Sequence, residues 1–518
     1  MSSKSIERAA SARSLSAWSS TTVLSLMLVA CGGGGGGDGG SSAPPPAQSP
    51  PPTPTNVAPV INAGATETIT LPTDTWSWTG SATDDNLPTG ATLSYTWAFV
   101  SGPSGPNNSP GAILSSTNAA ATSARFVGGP GDYVFNLNVS DTALTGTGTK
   151  HVTVAANPQN YPAAPSASAS GWAEVTPATE RMDPVQLDAA RDYSTAAGGT
   201  TDLESGYIIR NGHLVYKWGS ETQLYEMKST TKSMGGLALL LALDEGKIAL
   251  SDTASAKLPV FGTDPVVDPN GLTGLSGITI LQLATHTSGL SKSDTAGTLK
   301  LLFTPGSTWS YSDQGLNWLA DVLTQTYAQD LNTLMFSRVY TNLGIGAGDL
   351  TWRANAFRTQ TLSVNGTPLA RRELASGISA DVNAMARVGL LMLRQGVWGN
   401  QSILSNAIVA KAHTPPPEVA NATINDPTNY PGATTNYGML WWTNATGQMP
   451  EVPKDAYWAW GLHETFIIVI PSLDLVVVRA GNSGWHKDIN GVVQPEVWNA
   501  DYGVLAPFLT PIVKGTTP

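Results

Sequence analysis

Ser229-Thr230-Thr231-Lys232 sets a hydroxyl and an amine three residues apart, just ahead of the strongly apolar stretch Met234 to Asp244. On a first helical turn that spacing projects both side chains from one face, so the two groups can touch. A serine hydroxyl attacks a carbonyl only when a neighbour accepts its proton. A helix start adds unpaired backbone N–H groups and a positive dipole end, both suited to an oxyanion. Serine is also a favoured helix N-cap, so the pair alone leaves a purely structural use open. Further along, Pro305 to Asp313 contributes Tyr311, whose phenolic oxygen can join a proton transfer, with Asp313 two residues on.

Elements at both ends of this region must bring these groups together. Tyr207 to Tyr216 reads as a hairpin with Asn211-Gly212 at its tip, a pair that tolerates the positive φ of a tight turn. Thr465 to Ile470 and Leu473 to Val478, joined across Pro471-Ser472, read as a second hairpin. Helical patterns lie between them, over Met234 to Asp244 and Gly315 to Leu323. Strands at both ends with helices between predict an α+β domain whose sheet brings its first and last strands together.

Between Lys232 and Tyr311 stands Leu281-Gln282-Leu283-Ala284-Thr285-His286-Thr287-Ser288-Gly289-Leu290. With the three segments together, roughly residues 175 to 510 resemble the serine β-lactamase and penicillin-binding protein superfamily, nearest the class C-type β-lactamases and their esterase relatives. The resemblance implies a β-lactamase/transpeptidase-like α+β domain, an antiparallel sheet flanked by helices plus a helical subdomain. It also implies that Ser229 is the nucleophile, that Lys232 helps move its proton, and that Tyr311 is the general base. A lysine ammonium nearby favours a phenolate, so Lys232 is expected to hold Tyr311 wholly or partly ionised. His286, Ile378 to Asp381 and Tyr437 to Trp442 are expected to be structural.

Two departures bear on the substrate. The superfamily's Lys-Thr-Gly is absent; Trp458-Ala459-Trp460-Gly461-Leu462-His463-Glu464-Thr465 stands in its place. An anionic substrate thereby loses a charge-assisted partner. Asp313 replaces the usual Asn, and an ionised carboxylate only accepts hydrogen bonds. Trp460-Gly461-Leu462 resembles the W-x-G variant of family VIII carboxylesterases, and Gly461-Leu462-His463 the Gly-Ile-His segment of 6-aminohexanoate-dimer hydrolases. By either alignment a backbone N–H near His463 pairs with that of Ser229 as oxyanion donor, and Trp460, Gly461, His463 and Asp313 line the substrate site. These features point to a carboxylesterase acting through a Ser229 acyl-enzyme on a small-molecule ester. An amide hydrolase of the same fold (β-lactamase, D-amino-peptide or 6-aminohexanoate-oligomer hydrolase) and a non-catalytic binding or scaffold lipoprotein are the alternatives.

The 518 residues exceed the common single-domain size, and 41% hydrophobic against 13% charged residues exclude a wholly disordered chain. The formal charge of −11 comes without any Lys/Arg run, which excludes nucleic acid as a partner. The six histidines show no H-x-x-x-H or H-E-x-x-H pairing, so neither a metal nor a cofactor is expected. One cysteine permits no internal disulfide. That residue, Cys31, ends the run Leu28-Val29-Ala30 behind a basic leader carrying Lys4, Arg8 and Arg13, and the pattern resembles a bacterial lipoprotein signal. The resemblance implies cleavage before Cys31, lipidation of Cys31 and an outer-membrane location facing the periplasm or cell surface. The expected organisation is a signal peptide over 1–30, a Gly/Pro/Ser-rich flexible linker over 31–56, an all-β module over 57–156, a linker over 157–170 and the hydrolase domain over 171–518. Tyr133, Phe135, Leu137 and Val139 alternate with Val134, Asn136, Asn138 and Ser140, the pattern of a half-buried strand, and Trp97 reads as a core anchor. The 57–156 module resembles the PKD-type immunoglobulin-like domains of bacterial surface enzymes. Trp76 and Trp78 fit the core of that sandwich better than an exposed carbohydrate platform.

Overall fold

The alternation around Tyr133 to Val139 becomes the long central strand of a small sandwich. The computed structural model describes residues 54–105, 108–166, 169–195, 204–262, 266–267, 274–294, 298–358, 360–481 and 502–517. Cys31 and the leader lie outside the described residues. The sandwich strands are β1 Val60–Asn62, β2 Glu67–Thr70, β3 Thr75–Thr79, β4 Ser81–Thr83, β5 Ser94–Ser101, β6 Ala112–Leu114, β7 Ala121–Phe126, β8 Gly131–Ser140 and β9 Thr145–Ala155. One sheet runs β2-β9-β8-β5 and the facing one β3-β7-β6. Tyr133, Phe135, Leu137 and Val139 all point inward with no exposure, beside Trp97. Trp78 packs edge-on to Trp97 at 5.8 Å, whereas Trp76 sits on the surface with its indole N–H on Glu67. The two tryptophans therefore share neither a core nor a platform.

The larger region begins with α1 Pro184–Thr195, β10 Glu204–Arg210 and β11 His213–Trp218, continues with α2 Thr231–Asp244, α3 Asp313–Tyr327, α4 Val382–Leu393 and α5 Asn406–Ala412, and closes with β12 Trp442–Thr443, β13 Tyr457–Gly461, β14 Thr465–Ile470, β15 Leu475–Gly481 and α6 Tyr502–Lys514. Its six-stranded sheet is ordered β11-β10-β15-β14-β13-β12, all antiparallel, so the first and last strands are neighbours as the two sequence hairpins predict. Asn211 and Gly212 both take positive φ at the β10–β11 turn. Along β14 the side chains alternate between two cores. Phe466, Ile468 and Ile470 meet Leu505, Phe508 and Ile512 of α6, while Ile467 and Val469 join Leu237 of α2 and Val388 of α4. Because both faces are covered, the strand reads as an unbroken apolar run. Among the described residues the helical layer holding α2 and α3 lies with α4 on that second face, and Gly389 of α4 has no room for a side chain against Val476 and Ile467.

The segment expected as a linker is docked along this region. Tyr161 Oη donates to the Val397 carbonyl at 3.2 Å and its ring lies against Trp398, and Arg387 Nη2 donates to the carbonyls of Ala163 and Ser170 at 2.7 Å each. Its Pro/Ala/Ser composition gives no sign of these contacts, because they use mostly its own backbone carbonyls and partners more than two hundred residues away. Residues 56–518 form one compact unit.

Candidate active site

Ser229 lies in a 3-10 turn, Lys228–Thr230, that leads directly into α2. Lys228, the residue before it, holds a left-handed φ of 49°, a conformation that a non-glycine residue keeps only when its surroundings impose it. Those surroundings are visible. Met227 O accepts from Thr230 N at 3.0 Å and from Thr465 Oγ1 at 2.8 Å, and Thr230 Oγ1 donates to the Thr465 carbonyl at 2.7 Å. Thr231 Oγ1 accepts from Ile378 N at 3.1 Å on the other side. A Cβ on Gly461 would run into Met227 O and Thr465 Oγ1, so only glycine lets the end of β13 close on this turn.

Lys232, buried to 2% exposure, is surrounded by oxygen. Its Nζ donates to Ser229 Oγ at 2.9 Å and to the Ala375 carbonyl at 2.8 Å, and pairs with Asp313 Oδ1 at 2.8 Å. The same Nζ sits 4.8 Å from the centre of the Tyr311 ring. Ser229, Lys232, Tyr311 and Asp313, spread over more than eighty residues of sequence, thus converge on one hydroxyl. Asp313 occupies the first turn of α3, where the helix dipole favours a carboxylate, and Ser312 caps that helix by accepting from Gly315 N at 2.9 Å.

Tyr311 is held as the middle layer of a stack, with His286 at 4.4 Å on one face and Tyr430 at 5.3 Å on the other. His286 also grips the backbone on both sides of it. The His286 carbonyl accepts from Ser310 N at 2.8 Å and its Nδ1 accepts from Ser312 N at 3.0 Å. Because Nδ1 accepts, the ring proton belongs on Nε2, 3.2 Å from Tyr437 Oη. Burial and then the Lys232 charge drive the His286 pKa well below its usual 6.5, so the ring stays neutral. The sequence reading assigned this histidine a structural place, and its spacing from Tyr311 held no sign of the clamp.

The electrostatics correct one expectation. Burial, and next the Asp313 carboxylate, push Tyr311 far above the usual 10, and the Ser229 hydroxyl offsets only part of this. Tyr311 therefore rests as the neutral phenol, not the phenolate. Burial lowers the Lys232 pKa, with Asp313 the largest opposing influence.

Gly461 ends β13 against the nucleophile turn, and Trp460 beside it packs on Phe466 at 5.2 Å. His463 and Glu464 take φ of 65° and 49° in the turn to β14, and Arg479 donates to both of their carbonyls.

A hydroxyl, a lysine and a phenol gathered under a strand edge define a serine hydrolase of the β-lactamase fold. Residues 205–484, more than half of the chain, match the Beta-lactamase family model, and the chain belongs to that family. Residues 63–154 match the model of the K319L-like PKD domain. An uncharacterized protein of Alkalihalophilus pseudofirmus is 24% identical over 307 residues, covering 54% of this chain and 83% of that protein. Among solved structures, a candidate β-lactamase from Bacteroides dorei DSM 17855 superposes with a TM-score of 0.50 at 18% identity, over 64% of this chain and 99% of that one. A penicillin-binding protein homolog from Caulobacter crescentus gives 0.48 at 15% identity, over 64% and 98%. A family VIII carboxylesterase gives 0.45 at 16%, over 64% and 96%.

Proposed function

We propose that the protein is a carboxylesterase that works through an acyl-enzyme on Ser229. The observation that carries this reading is the contact of Lys232 Nζ with Ser229 Oγ at 2.9 Å, made beside the Tyr311 ring, whose centre lies 4.8 Å from the same Nζ. Burial disfavours both the Lys232 ammonium and the Tyr311 phenolate, so once Lys232 has released the proton that its pairing with Asp313 favours, the neutral amine takes the Ser229 proton as Oγ attacks the ester carbonyl. Backbone N–H groups of Ser229 and of the Gly461 to His463 segment receive the oxyanion. As the C–O bond breaks, Tyr311 gives its proton to the departing alkoxide, and the new Lys232 ammonium stabilises the phenolate left behind. That phenolate then takes a proton from water, which attacks the acyl group. Ser229 leaves with the proton held by Lys232, and the starting state returns.

Ester specificity is supported by the strand facing Ser229. It presents Trp460 and Gly461 where the superfamily has a lysine, and the hydroxyl of Thr465, the first residue of β14, is committed to Met227 O. The strand itself, Tyr457-Trp458-Ala459-Trp460-Gly461, carries no charged side chain to receive a β-lactam carboxylate. Purified protein should hydrolyse a p-nitrophenyl ester series and leave a chromogenic cephalosporin intact, and Ser229→Ala should abolish ester turnover. Cephalosporin turnover at comparable efficiency would replace the ester reading with an amide one, and no turnover of either would favour a binding protein. We also propose that Cys31 carries a lipid anchor to the outer membrane, supported by its lipobox-like context. Metabolic labelling with a fatty acid should mark the wild type and spare Cys31→Ala.

A further inference from the structure

Three polar residues run at i, i+4 and i+8 along the buried helix α3: Asp313, Asn317 and Asp321. Asp313 reaches Lys232 directly. Asp321 pairs with Arg358 at 3.1 Å and Arg371 at 3.8 Å. Between them, Asn317 is 1% exposed and has both ends of its amide engaged. Its Oδ1 accepts from Ala375 N at 3.1 Å and its Nδ2 donates to Asp294 Oδ2 at 2.8 Å. Asp294 is itself fixed by Arg358 Nη2 at 3.3 Å. The N–H that Asn317 holds belongs to Ala375, the residue whose own carbonyl, one peptide further on, accepts from Lys232 Nζ.

We propose that Asn317 is a positioning residue that aims the Ala375 carbonyl at Lys232 and so sets where the lysine stands when it exchanges a proton with Ser229. The relay runs from the buried Arg358–Asp294 pair through the Asn317 amide and Ala375 to the ammonium. A methyl group or an aliphatic chain at 317 would leave Asp294 and Ala375 N without this partner inside the core, where unmet polar groups are costly. The charged and titratable groups around Lys232 are Asp313, Tyr311, Glu373 and His286, and those around Asn317 are Asp294, Arg358, Asp321 and Arg371. None of them duplicates the hydrogen bond to Ala375 N. The proposal rests on the reading that Lys232 accepts the Ser229 proton.

The test uses the full chain, a p-nitrophenyl ester and two variants measured across pH with circular dichroism at each point. Asn317→Ala should lower kcat roughly tenfold, the rate equivalent of one hydrogen bond, with KM unchanged. Asn317→Asp keeps the acceptor for Ala375 N and replaces the donor with a carboxyl facing Asp294. At acid pH that carboxyl is protonated and donates to Asp294, so the variant should approach the wild-type rate. As pH rises, two carboxylates face each other and the variant-to-wild-type ratio should fall. This second variant carries the test if Asn317→Ala does not fold. A wild-type kcat in Asn317→Ala, or a ratio for Asn317→Asp that is flat with pH while the fold is intact, overturns the proposal. Ser229→Ala run in parallel separates the two failures, since turnover in that variant would overturn the catalytic reading itself.

Discussion

Asp313 closes on Lys232 across 2.8 Å, so the lysine that touches the candidate nucleophile is paired with a carboxylate on the first turn of the next long helix. The pair fixes how the site shares charge. Asp313 favours the lysine ammonium and opposes a Tyr311 phenolate, which turns proton acceptance from the phenol toward the amine.

Replacing Asp313 by Asn removes the influence that holds the Lys232 pKa up and leaves the burial that lowers it. A base with a lower pKa is free at lower pH. The rising limb of kcat/KM against pH should therefore move to lower pH in Asp313→Asn. A limb that moves to higher pH would show that the amine is not the acceptor.

Tyr311→Phe separates the phenol's part from the lysine's. Without a proton donor for the leaving alkoxide, turnover of unactivated alkyl esters should fall by about 10²–10⁴, the usual range for general acid–base groups. Labelling by a fluorophosphonate, whose leaving group needs no proton, should persist. Loss of labelling together with turnover would make Tyr311 the base.

The candidate site was legible wherever side-chain type and short spacing carry the chemistry. Ser229 and Lys232 share a turn of three residues, and Tyr311 sits beside a helix cap. The phenol's protonation state was not, because it depends on burial and on a carboxylate placed by α3. The His286 clamp was hidden for a related reason: it uses that residue's own carbonyl and ring nitrogen on two backbone amides. The strand order followed from two recognisable hairpins, whereas the docking of Tyr161, Ala163 and Ser170 depends on Val397, Trp398 and Arg387, distant partners that leave no periodic trace in the segment.

His286 is neutral and buried in the folded protein, and burial likewise pushes His413 down to about 4. Unfolding lets both rings bind protons below their ordinary value near 6.5. A depressed histidine pKa means that the unfolded state binds more protons, so stability is full above pH 6.5 and declines as pH falls below it. Thermal melts should show Tm dropping between about pH 6.5 and 4, and His413→Phe, which keeps a ring against Tyr457, should reduce the slope. An unchanged slope would mean that His413 does not contribute.

Arg125 of β7 ties the sandwich to α2. It pairs with Asp74, which has no exposure, at 3.2 Å, donates to Ser402 Oγ and reaches Asp244 at the last residue of α2. Arg125→Ala leaves the Asp74 carboxylate buried without its cation, and such losses cost about 3–5 kcal/mol. Chemical denaturation should show that loss, and limited proteolysis should cut faster between residues 156 and 171. Stability within about 0.5 kcal/mol of wild type would show that the clamp contributes little.

The most direct test of the whole account is to trap the acyl-enzyme. Full-length protein is quenched during turnover of a slow ester or after fluorophosphonate treatment, digested, and its adduct located by mass spectrometry. The adduct should lie on Ser229 and vanish in Ser229→Ala. An adduct on any other residue, or one that survives that substitution, would contradict Ser229 as the nucleophile.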